Sequence, residues 1–562
     1  MKWGSLKLLV RSRLRHLPYP IKKACLLIQR VCLPNEYLAW FKGEYPKLVR
    51  QAFEFEGHAI PDGPRISVIT LVHGPRFSHF KKCAYSVLGQ DYSNFEWVLV
   101  ENARPTRRLR KFLSCLEKNK KVLILRPPAN LGIARGTNAA AERASGEWLA
   151  FLDHDDMLKE SALSDLSRVI EHRPDIHFIY TDNDHCDDVD RFHTPALKPG
   201  PSKEYLLGVN YISHFHAIKK ILFHSLKGSE SALDGSQDWD VSVKAFQNLE
   251  QVYHIPKILY SYRTHKDQFS APYYWEGESL AKKQIGRSQK AAIQGYLSRH
   301  GIDKDYEIRP LPDTGLYYLW YRGADFPPVT LIRWIRDEQR FLREPIQDNQ
   351  LVPGLDQVDY PTLVHLDVEE EGTDFFSLLK KVSTPFFVLY DTELRALNPQ
   401  WLKQAVGLFG REVDVALQGG YIENLGSFLH AAVMVGDPSG NPRGLQLESL
   451  FPAQLLFNVR REVSGLKSLW WIGRTDAFRG IGPFHSPGNM SSDFVICKKL
   501  IKRGHRIIYD PQLQAKSSAV FSSDLSVRSE VQAERFYEPY LSPLCVQSAG
   551  AFLGGKGLMK EY

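Results

Sequence analysis

The chain is poor in cysteine and has no long apolar run. Its seven cysteines are scattered and odd in number, without the paired spacing of a zinc site, which favours reduced cytosolic thiols over a disulfide framework. No apolar stretch approaches the roughly 18–20 residues that span a bilayer. The segment 24–28, for example, ends at Gln29 and Arg30, which also argues against a secretory signal. We therefore expect a cytoplasmic protein without a membrane-spanning helix.

The first 33 residues lack acidic side chains. They hold eight of the 72 lysines and arginines, and the remaining 64 balance the 64 acidic residues, so the net charge of +8 equals the charge of this arm. Apolar residues recur there at helical spacing: Trp3, Leu6, Val10, Leu14 and Leu17. A basic amphipathic helix suits an anionic membrane surface, with packing or nucleic-acid binding as alternatives. We predict a basic arm over 1–63, a peripheral position at the cytoplasmic face of the inner membrane, and no nucleic-acid partner.

Strand and helix patterns alternate in the next part of the chain. Apolar, β-branched runs predict strands over 66–72, 97–100, 122–125 and 148–152, and the stretches 77–90, 106–118 and 132–144 between them read as helices. This alternation is typical of a parallel, doubly wound α/β sheet. Such sheets bind ligands at the carboxyl ends of their strands, and we expect a site at that edge.

An acidic triplet follows the last of these strands. Asp153, His154 and Asp155 place two carboxylates at the carboxyl end of the buried run 148–152. Hard oxygen ligands suit Mg²⁺ or Mn²⁺, which proteins commonly share with substrate phosphates. An acidic turn that caps the next helix is the alternative.

Further motifs extend the pattern downstream. They are Asn94-Phe95-Glu96, Asn130-Leu131-Gly132, Gly146-Glu147-Trp148, Leu152-Asp153-His154-Asp155-Asp156, Tyr180-Thr181-Asp182-Asn183-Asp184, Lys198-Pro199, Asn210-Tyr211-Ile212-Ser213-His214, Gly235-Ser236-Gln237-Asp238-Trp239-Asp240 and Tyr262-Arg263-Thr264-His265. In order and spacing they resemble the family 2 inverting glycosyltransferases, and more closely the large bacterial enzymes that build O-antigen, rhamnan-like and other surface polysaccharides. The resemblance covers residues 64–302. It implies a GT-A fold, the Rossmann-like architecture of nucleotide-diphospho-sugar transferases.

The resemblance also implies a reaction and its residues. A hexosyl or deoxyhexosyl group would move, with inversion, from a nucleoside-diphosphate sugar to a hydroxyl of a lipid-linked glycan. Asp153, Asp155 and His265 would hold Mn²⁺ or Mg²⁺, and Asp238 would be the general base, although a helix cap is the alternative for Asp238. Donor-side residues would be Thr70, Val72, Glu101, Asn130, Gly132, Asn138, Asp153 and His154. Acceptor-side residues would be Asp182, Asp184, Asn210, Trp239 and Arg263, with diphosphate or a carboxylate as the partner of Arg263.

Two positions depart from the family pattern. The family usually has an Asp pair after its second strand, where this chain has Glu101 and Asn102, and its first strand normally ends in Pro and Asn, where this chain has Val72 and His73 before Gly74. We interpret both as changes in donor specificity rather than as loss of function.

The second half reads as a truncated copy of the first. Asp391 and Glu393 follow the apolar run 386–390, and Asp493 precedes Pro511 by the same 18 residues that separate Asp238 from Pro256. Similarity at fixed offsets indicates duplication. We predict a linker over 303–327, a second GT-A-like α/β domain over 328–540 and a tail over 541–562. The aromatic run 316–321, which follows the proline-containing stretch 309–313, is either an interdomain contact or a strand of the second core.

We expect this second domain to be non-catalytic. Only about sixty residues separate its first strand from Asp391, too few for a full nucleotide-binding half, and Val520 stands nine residues after Pro511 where His265 stands nine after Pro256. Asp391, Glu393 and Asp493 stay as candidate ligands and base.

Two other functions remain open. A sugar nucleotidyltransferase shares the architecture, but the first strand is followed by Gly74-Pro75-Arg76 rather than by a glycine-rich basic loop. A non-catalytic glycan-binding scaffold would not be expected to keep Asp153, Asp155, Asp238 and His265.

Overall fold

The computed structural model describes residues 41–43, 45–53, 55, 63–264, 280–311, 315–334, 341–343, 358–367, 375–391, 394–396, 398–424, 429–436, 442–446, 459–463, 465–466, 470–479, 481, 492–517 and 519–521. Residues 1–33, which hold the basic part of the predicted arm over 1–63, lie outside these residues, as do His265, Glu393 and the tail over 541–562. Their predicted roles stay predictions. Among the described helices, none is long and apolar enough to cross a membrane.

The first half forms a nine-stranded sheet. Its strands are β1 Ile66–Val72, β2 Phe95–Glu101, β3 Val122–Leu125, β4 Trp148–Phe151, β5 Met157–Leu158, β6 Phe178–Cys186, β7 Phe192–Ala196, β8 His216–Lys219 and β9 Val252–Arg263. Its helices are α1 Tyr45–Ala52, α2 Phe77–Leu88, α3 Arg107–Leu116, α4 Gly132–Arg143, α5 Ala162–His172, α6 Lys203–Gly208, α7 Lys220–Ser225, α8 Gln237–Ala245 and α9 Leu280–Arg299. The strands and helices predicted over residues 66–152 are therefore confirmed, with ends that differ by a few residues.

The strand order of this sheet is β3-β2-β1-β4-β8-β6-β9-β5, with β7 paired to β6. The first four strands are parallel, as predicted. Strand β8 then runs antiparallel to both β4 and β6. Both faces are covered: Ile66 and Val68 belong to one apolar core and Ile69 to the other. This two-sided burial explains the continuous apolar runs of the sequence.

A β-hairpin follows α9, with strands β10 Tyr306–Leu311 and β11 Leu316–Tyr321 in antiparallel register. These residues lie in the range 303–327, which the sequence suggested as a linker. The hairpin replaces that interpretation, because its side chains are packed: Leu316, Tyr317 and Leu319 join the second core of the first sheet. The Tyr318 hydroxyl donates to Asp510 of the second half at 3.3 Å.

The second half forms another sheet. Its strands are β12 Val329–Trp334, β13 Phe341–Arg343, β14 Leu363–Asp367, β15 Phe386–Asp391, β16 Leu394–Ala396, β17 Val415–Asn424, β18 Leu429–Gly436, β19 Pro442–Gln446, β20 Arg461–Glu462, β21 Trp470–Arg474, β22 Arg506–Ser517 and β23 Ala519–Phe521, of which β13 and β23 form a separate pair. Its helices are α10 Phe375–Lys381, α11 Trp401–Arg411, α12 Thr475–Arg479 and α13 Ser492–Lys502.

The two sheets share one topology. The path β14-β12-β15-β21-β17-β22-β16 repeats the path β2-β1-β4-β8-β6-β9-β5, and each pair of neighbours has the same parallel or antiparallel sense. Strand β18 pairs antiparallel with β17, as β7 does with β6. The predicted second GT-A-like α/β domain is thus present. Only residues 368–385 separate β14 from β15, whereas residues 102–147 separate β2 from β4.

Candidate active site

An acidic turn lies at the carboxyl edge of the first sheet. The turn follows β4, and its start is tied to β1, because the Leu152 N–H donates to the Ile69 carbonyl at 3.0 Å. The His154 ring contributes a second tie: its Nδ1 lies 3.0 Å from the Leu71 carbonyl oxygen. The Asp153 side chain is 60% exposed. A substrate at this edge can therefore reach Asp153 directly.

Three groups with metal-ligand chemistry meet beside this turn. Asp153, Asp156 and His214 each offer a ligand atom, and these atoms lie within 4.8 Å of one another. His214 Nε2 is 3.9 Å from Asp153 Oδ2. Burial, and then the charges of Asp153 and Asp155, raise the pKa of Asp156 well above its usual range. Carboxylate and imidazole donors are compatible with Mn²⁺, so the residues present fit a divalent cation.

This group differs from the ligand set that the sequence suggested. Asp155 is half-buried and lies outside the group, whereas Asp156 and His214 belong to it. Asp156 is 1% exposed, and its carboxylate also accepts hydrogen bonds from the Tyr260 hydroxyl and, at 2.6 Å, from the Arg263 N–H. Asp156 therefore also ties the turn to β9. Sequence reasoning quoted Asp156 and His214 inside motifs but gave them no role.

His214 is held by aromatic and cationic neighbours. Its ring stacks on Tyr260 and on Tyr262, with centroids 5.2 and 5.4 Å away. Beneath the loop, Lys198 Nζ donates to the carbonyls of His214 and, at 2.6 Å, of Ile212. Burial lowers the pKa of Lys198 to about 7. The imidazole is thus fixed beside the acidic turn by residues of β9 and by a buried lysine.

Asp238 lies in the first turn of α8 and is partly exposed. Its Oδ2 accepts a hydrogen bond from Asn210 Nδ2 at 2.8 Å. Burial raises the pKa of Asp238, and the Asp153 charge adds to the rise, whereas His214 and Asn210 oppose it. The N-cap position of α8 belongs to Ser236, so Asp238 is not the cap. A half-buried carboxyl group with a raised pKa is suited to accept a proton near neutral pH.

Comparison with known proteins identifies this part of the chain. Residues 67–225 match the family described as Glycosyl transferase family 2. The chain contains a family 2 glycosyltransferase domain. The predicted resemblance is therefore confirmed, and the matched residues include the acidic turn and His214 but end before Asp238.

The similar proteins are distant in sequence. The uncharacterized protein y4gI of Sinorhizobium fredii is 23% identical over 80% of this chain and 53% of that protein. The O-antigen biosynthesis protein RfbC of Myxococcus xanthus is 25% identical over 71% of this chain and 33% of that protein. The chain thus spans between a third and about half of their length. Residues 1–349 of S. aureus TarS, in complex with UDP, align with a TM-score of 0.33 and 15% identity. The alignment covers 42% of this chain and 69% of that chain.

Asparagine side chains organise the predicted donor edge of the glycosyltransferase domain through hydrogen bonds. Asn102 donates to the Gly132 carbonyl and accepts from the Leu131 N–H, both at 2.8 Å. Asn130 Oδ1 accepts from the Gly132 N–H at 2.9 Å. At the start of α4, Asp234 accepts from the Ala134 N–H at 2.8 Å. Asn102, which departs from the family pattern, therefore holds the predicted donor loop in place.

Several predicted donor residues support this edge from below. Thr70 and Val72 are each 1% exposed, and the Thr70 hydroxyl accepts from Trp97 Nε1 at 3.0 Å. Asn138 brackets Ser229 with two hydrogen bonds of 2.9 Å. Glu101 Oε2 lies 3.4 Å from Arg126 Nε. The prediction of direct donor contact is thus corrected for the side chains of Thr70, Val72 and Asn138, which are committed to the fold.

The predicted acceptor residues of β6 are also corrected. Asp182 and Asp184 are 0% exposed. Asp182 accepts from the Lys198 N–H at 2.8 Å and faces His254 Nε2 at 2.8 Å, and Asp184 pairs with Lys159 at 2.9 Å. Strand β6 lies between β8 and β9, and eight of its nine residues are buried. These carboxylates cannot touch a substrate in this conformation.

Two more acceptor candidates are buried. Trp239 is 1% exposed and donates from Nε1 to the Leu206 carbonyl at 2.8 Å. Arg263 is 1% exposed and donates at 2.8 Å from Nη1 to Asp190 Oδ1 and from Nε to the Asp155 carbonyl. Of the two predicted partners of Arg263, the structure shows the carboxylate. Among the predicted acceptor residues, Asn210 contacts the predicted base through its side chain, and Trp239 does so through its backbone N–H.

The second half has no equivalent group in its described residues. Asp391 ends β15 and Asp493 lies in the first turn of α13, as Asp238 does in α8. Glu393 lies outside the described residues. Across the part of the chain that the structure describes, the group formed by Asp153, Asp156 and His214 is the one place where three such ligands meet.

Proposed function

We propose that this protein is an inverting, metal-dependent glycosyltransferase of surface polysaccharide synthesis. It moves a hexosyl or deoxyhexosyl group from a nucleoside-diphosphate sugar to a hydroxyl of a lipid-linked glycan such as an O-antigen precursor. The observation that carries the proposal is the meeting of Asp238, His214 and the acidic turn at the carboxyl edge of a family 2 domain. The name of the similar protein RfbC supports the polysaccharide class. A cytoplasmic location, with the basic arm on the inner membrane, belongs to the same proposal.

The acidic turn and His214 fit the leaving-group side of this reaction. A bound Mn²⁺ or Mg²⁺ supplies Lewis-acid stabilisation of the negative charge that develops on the departing diphosphate. Asp153, the exposed member, and His214 would hold the ion, with the buried Asp156 beneath them. Asp155, which shares the turn, stays a proposed ligand, as does His265.

Asp238 fits the acceptor side. An acceptor hydroxyl is a weak nucleophile until a base takes its proton. In the proposed step the hydroxyl proton moves to Asp238, the oxygen forms a bond to the anomeric carbon, and the bond to the diphosphate breaks with its electron pair. Asn210 fixes one oxygen of the carboxylate at 2.8 Å. A single displacement with one base inverts the anomeric configuration.

The proposal is tested by nucleoside-diphosphate release. Wild type and Asp238→Asn would be incubated with UDP-, GDP- and dTDP-sugars, Mn²⁺ or Mg²⁺, and a lipid-linked glycan extract. We expect metal-dependent release with one donor class, loss of release in Asp238→Asn, and a product of inverted configuration by NMR. Pyrophosphate release would instead indicate a nucleotidyltransferase, and a retained configuration would exclude the single displacement. If no donor gives nucleoside-diphosphate release, and calorimetry detects no metal-dependent nucleotide binding, a non-catalytic glycan-binding scaffold would be favoured.

A further inference from the structure

Helix α6 of the first domain contacts the second domain through a buried glutamate. Glu204, on α6, is 3% exposed and pairs with Arg411 of α11. Arg460 Nη1 approaches the same carboxylate at 3.8 Å. Next to it, Lys203 Nζ lies 2.6 Å from Glu412. Among the described residues, both cationic partners of Glu204 therefore come from the second domain.

The second domain holds these arginines in place with its own acids. Arg460 donates from Nη2 to Asp510 at 2.6 Å. Arg411 also pairs with Glu412 at 3.1 Å. Buried charges are stable only when partners and hydrogen bonds compensate their desolvation. The two domains are thus joined by buried ion pairs whose arginines are also held by acids of the second domain.

The other side of α6 contacts the helix that bears the proposed base. The Leu206 carbonyl accepts the Trp239 indole N–H at 2.8 Å, and Trp239 directly follows Asp238. Two residues beyond the end of α6, Asn210 donates to Asp238 Oδ2 at 2.8 Å. One short segment therefore touches the second domain at Glu204 and reaches α8 twice.

A six-residue helix cannot hold its own position. Isolated helices shorter than about 12 residues are marginal in water, so the placement of α6 depends on its contacts. Tyr205 stacks on Tyr211 at 4.8 Å within the first domain, and the Glu204 pairs fix the side toward the second domain. Loss of those pairs would let α6 shift, and the two contacts to α8 would shift with it.

We propose that the second domain positions the catalytic base of the first. Arg411 and Arg460 hold Glu204, and α6 carries that restraint to Asp238 through Trp239 and Asn210. Glu204, Arg411 and Arg460 are positioning residues, since none of them touches the proposed reacting atoms. The inference rests on the proposed role of Asp238. It gives the second domain a function that needs no second active site.

The test compares variants on the two sides of the interface. Glu204→Gln keeps the shape of the side chain but removes its charge, and a displacement near 1 Å at a catalytic group can cost about 100-fold in rate. We expect kcat to fall between about 10-fold and 100-fold, while KM for the donor sugar stays within about twofold because the donor edge lies on β1, β2 and α4. Arg411→Met should reproduce the loss, and Arg411→Lys should recover part of it.

Asp414→Asn is the matched control. Asp414 pairs with Arg506 at 2.7 Å inside the second domain, and its side chain is 49% exposed. This variant removes one carboxylate from the second domain without touching α6, so kcat should stay at the wild-type value. Lys203→Met offers a milder break of the interface, because Glu412 keeps Arg411 and Arg506 as partners. If circular dichroism shows that Glu204→Gln does not fold, Lys203→Met replaces it in the test.

Hydrogen exchange supplies a readout that does not depend on activity. Amides of residues 203–214 and 237–245 should exchange faster in Glu204→Gln than in Asp414→Asn. Equal kcat and equal exchange in the two variants would overturn the positioning role, even where Asp238→Asn is inactive and the proposed function holds. An Asp238→Asn variant with wild-type activity would overturn the proposed base instead, and the positioning proposal with it.

Discussion

The two sheets have the same strand order but carry different chemistry. In the first, residues 102–147 supply α3, β3, the loop at Asn130 and α4 between β2 and β4. In the second, residues 368–385 supply one described helix between β14 and β15. The comparison shows that the same strand path forms with a long or a short connection between the equivalent strands. In the proposed function, the donor site lies on the longer connection of the first half.

The two halves also differ in where their charged side chains gather. The first half gathers Asp153, Asp156 and His214 at the carboxyl edge of its sheet. The second half buries Arg411, Arg460 and Arg506, and the first two of these face Glu204 of its neighbour. Charged groups thus serve the proposed chemistry in the first half, whereas buried arginines of the second half pair with a carboxylate of the first.

The largest expected difference between the two halves is in the effect on kcat of two equivalent substitutions. Asp238 and Asp493 lie in the first turns of equivalent helices, α8 and α13. Asp238→Asn should lower kcat by about 10²- to 10⁴-fold, the usual contribution of a general base. Asp493→Asn should leave kcat unchanged. Both rates are measured as nucleoside-diphosphate release, with circular dichroism to check the fold, and a second activity lost only in Asp493→Asn would show that the second domain is catalytic.

The acidic turn gives the next largest effect. Removal of Asp153, the exposed ligand beside His214, should cost several kcal/mol of charge stabilisation, or more than about 100-fold in metal-dependent release. Asp153→Asn, Asp155→Asn and His214→Ala would be compared by Mn²⁺ titration of both binding and rate. Loss of Mn²⁺ binding in Asp155→Asn, with binding intact in His214→Ala, would favour the ligand set suggested by the sequence over the group seen in the structure.

The pH dependence of the rate tests the environment of Asp238. A base works only when deprotonated, so kcat/KM should fall as the pH drops through the raised pKa of Asp238. The Asn210 hydrogen bond stabilises the carboxylate and opposes that rise. In Asn210→Ala the pKa of Asp238 should rise further, and the acid limb of the profile should move to higher pH. If the acid limb stays in place, Asn210 does not influence the pKa of the base.

The sequence was most informative where local patterns decide structure. Strands such as β1 and β3 and helices such as α4 were predicted because apolar runs and glycine breakers act locally. The group at Asp153 was predicted only in part, because His214 lies 61 residues away and is brought there by the antiparallel entry of β8. No spacing rule encodes that contact.

Buried polar residues were the main source of error. Asp182 and Trp239 lie in motifs that suggest contact with a substrate, yet both are enclosed by the fold. Polarity alone cannot distinguish a side chain that faces a ligand from one that satisfies a buried network. The hairpin over β10 and β11 was predicted only in part: its proline-containing polar start resembles a linker, whereas Leu316 is buried and Tyr318 contacts Asp510 of the second half.

The smallest predicted effect compares one glycine from each half. Gly132, in the donor loop, has φ +77°, and a Cβ there would lie 2.6 Å from Asp234 Oδ2. Gly504, after α13, has φ +83° but nothing within 4 Å of such a Cβ. Both alanine variants pay the left-handed strain of about 1–2 kcal/mol. Gly132→Ala must also displace Asp234, which accepts from the Ala134 N–H, so its loss should be larger by about 0.5–2 kcal/mol, the usual value of a helix cap.

Urea unfolding of the two glycine variants measures that difference, and donor affinity adds a second one. Because the displaced Asp234 supports the loop at Asn130, KM for the donor sugar should rise in Gly132→Ala and stay constant in Gly504→Ala. Equal KM values would mean that the loop tolerates the shift and that donor binding relies on the acidic turn alone. A raised KM in Gly504→Ala would instead show that the second half contributes to donor binding. Donor binding could then no longer be assigned to the first sheet alone.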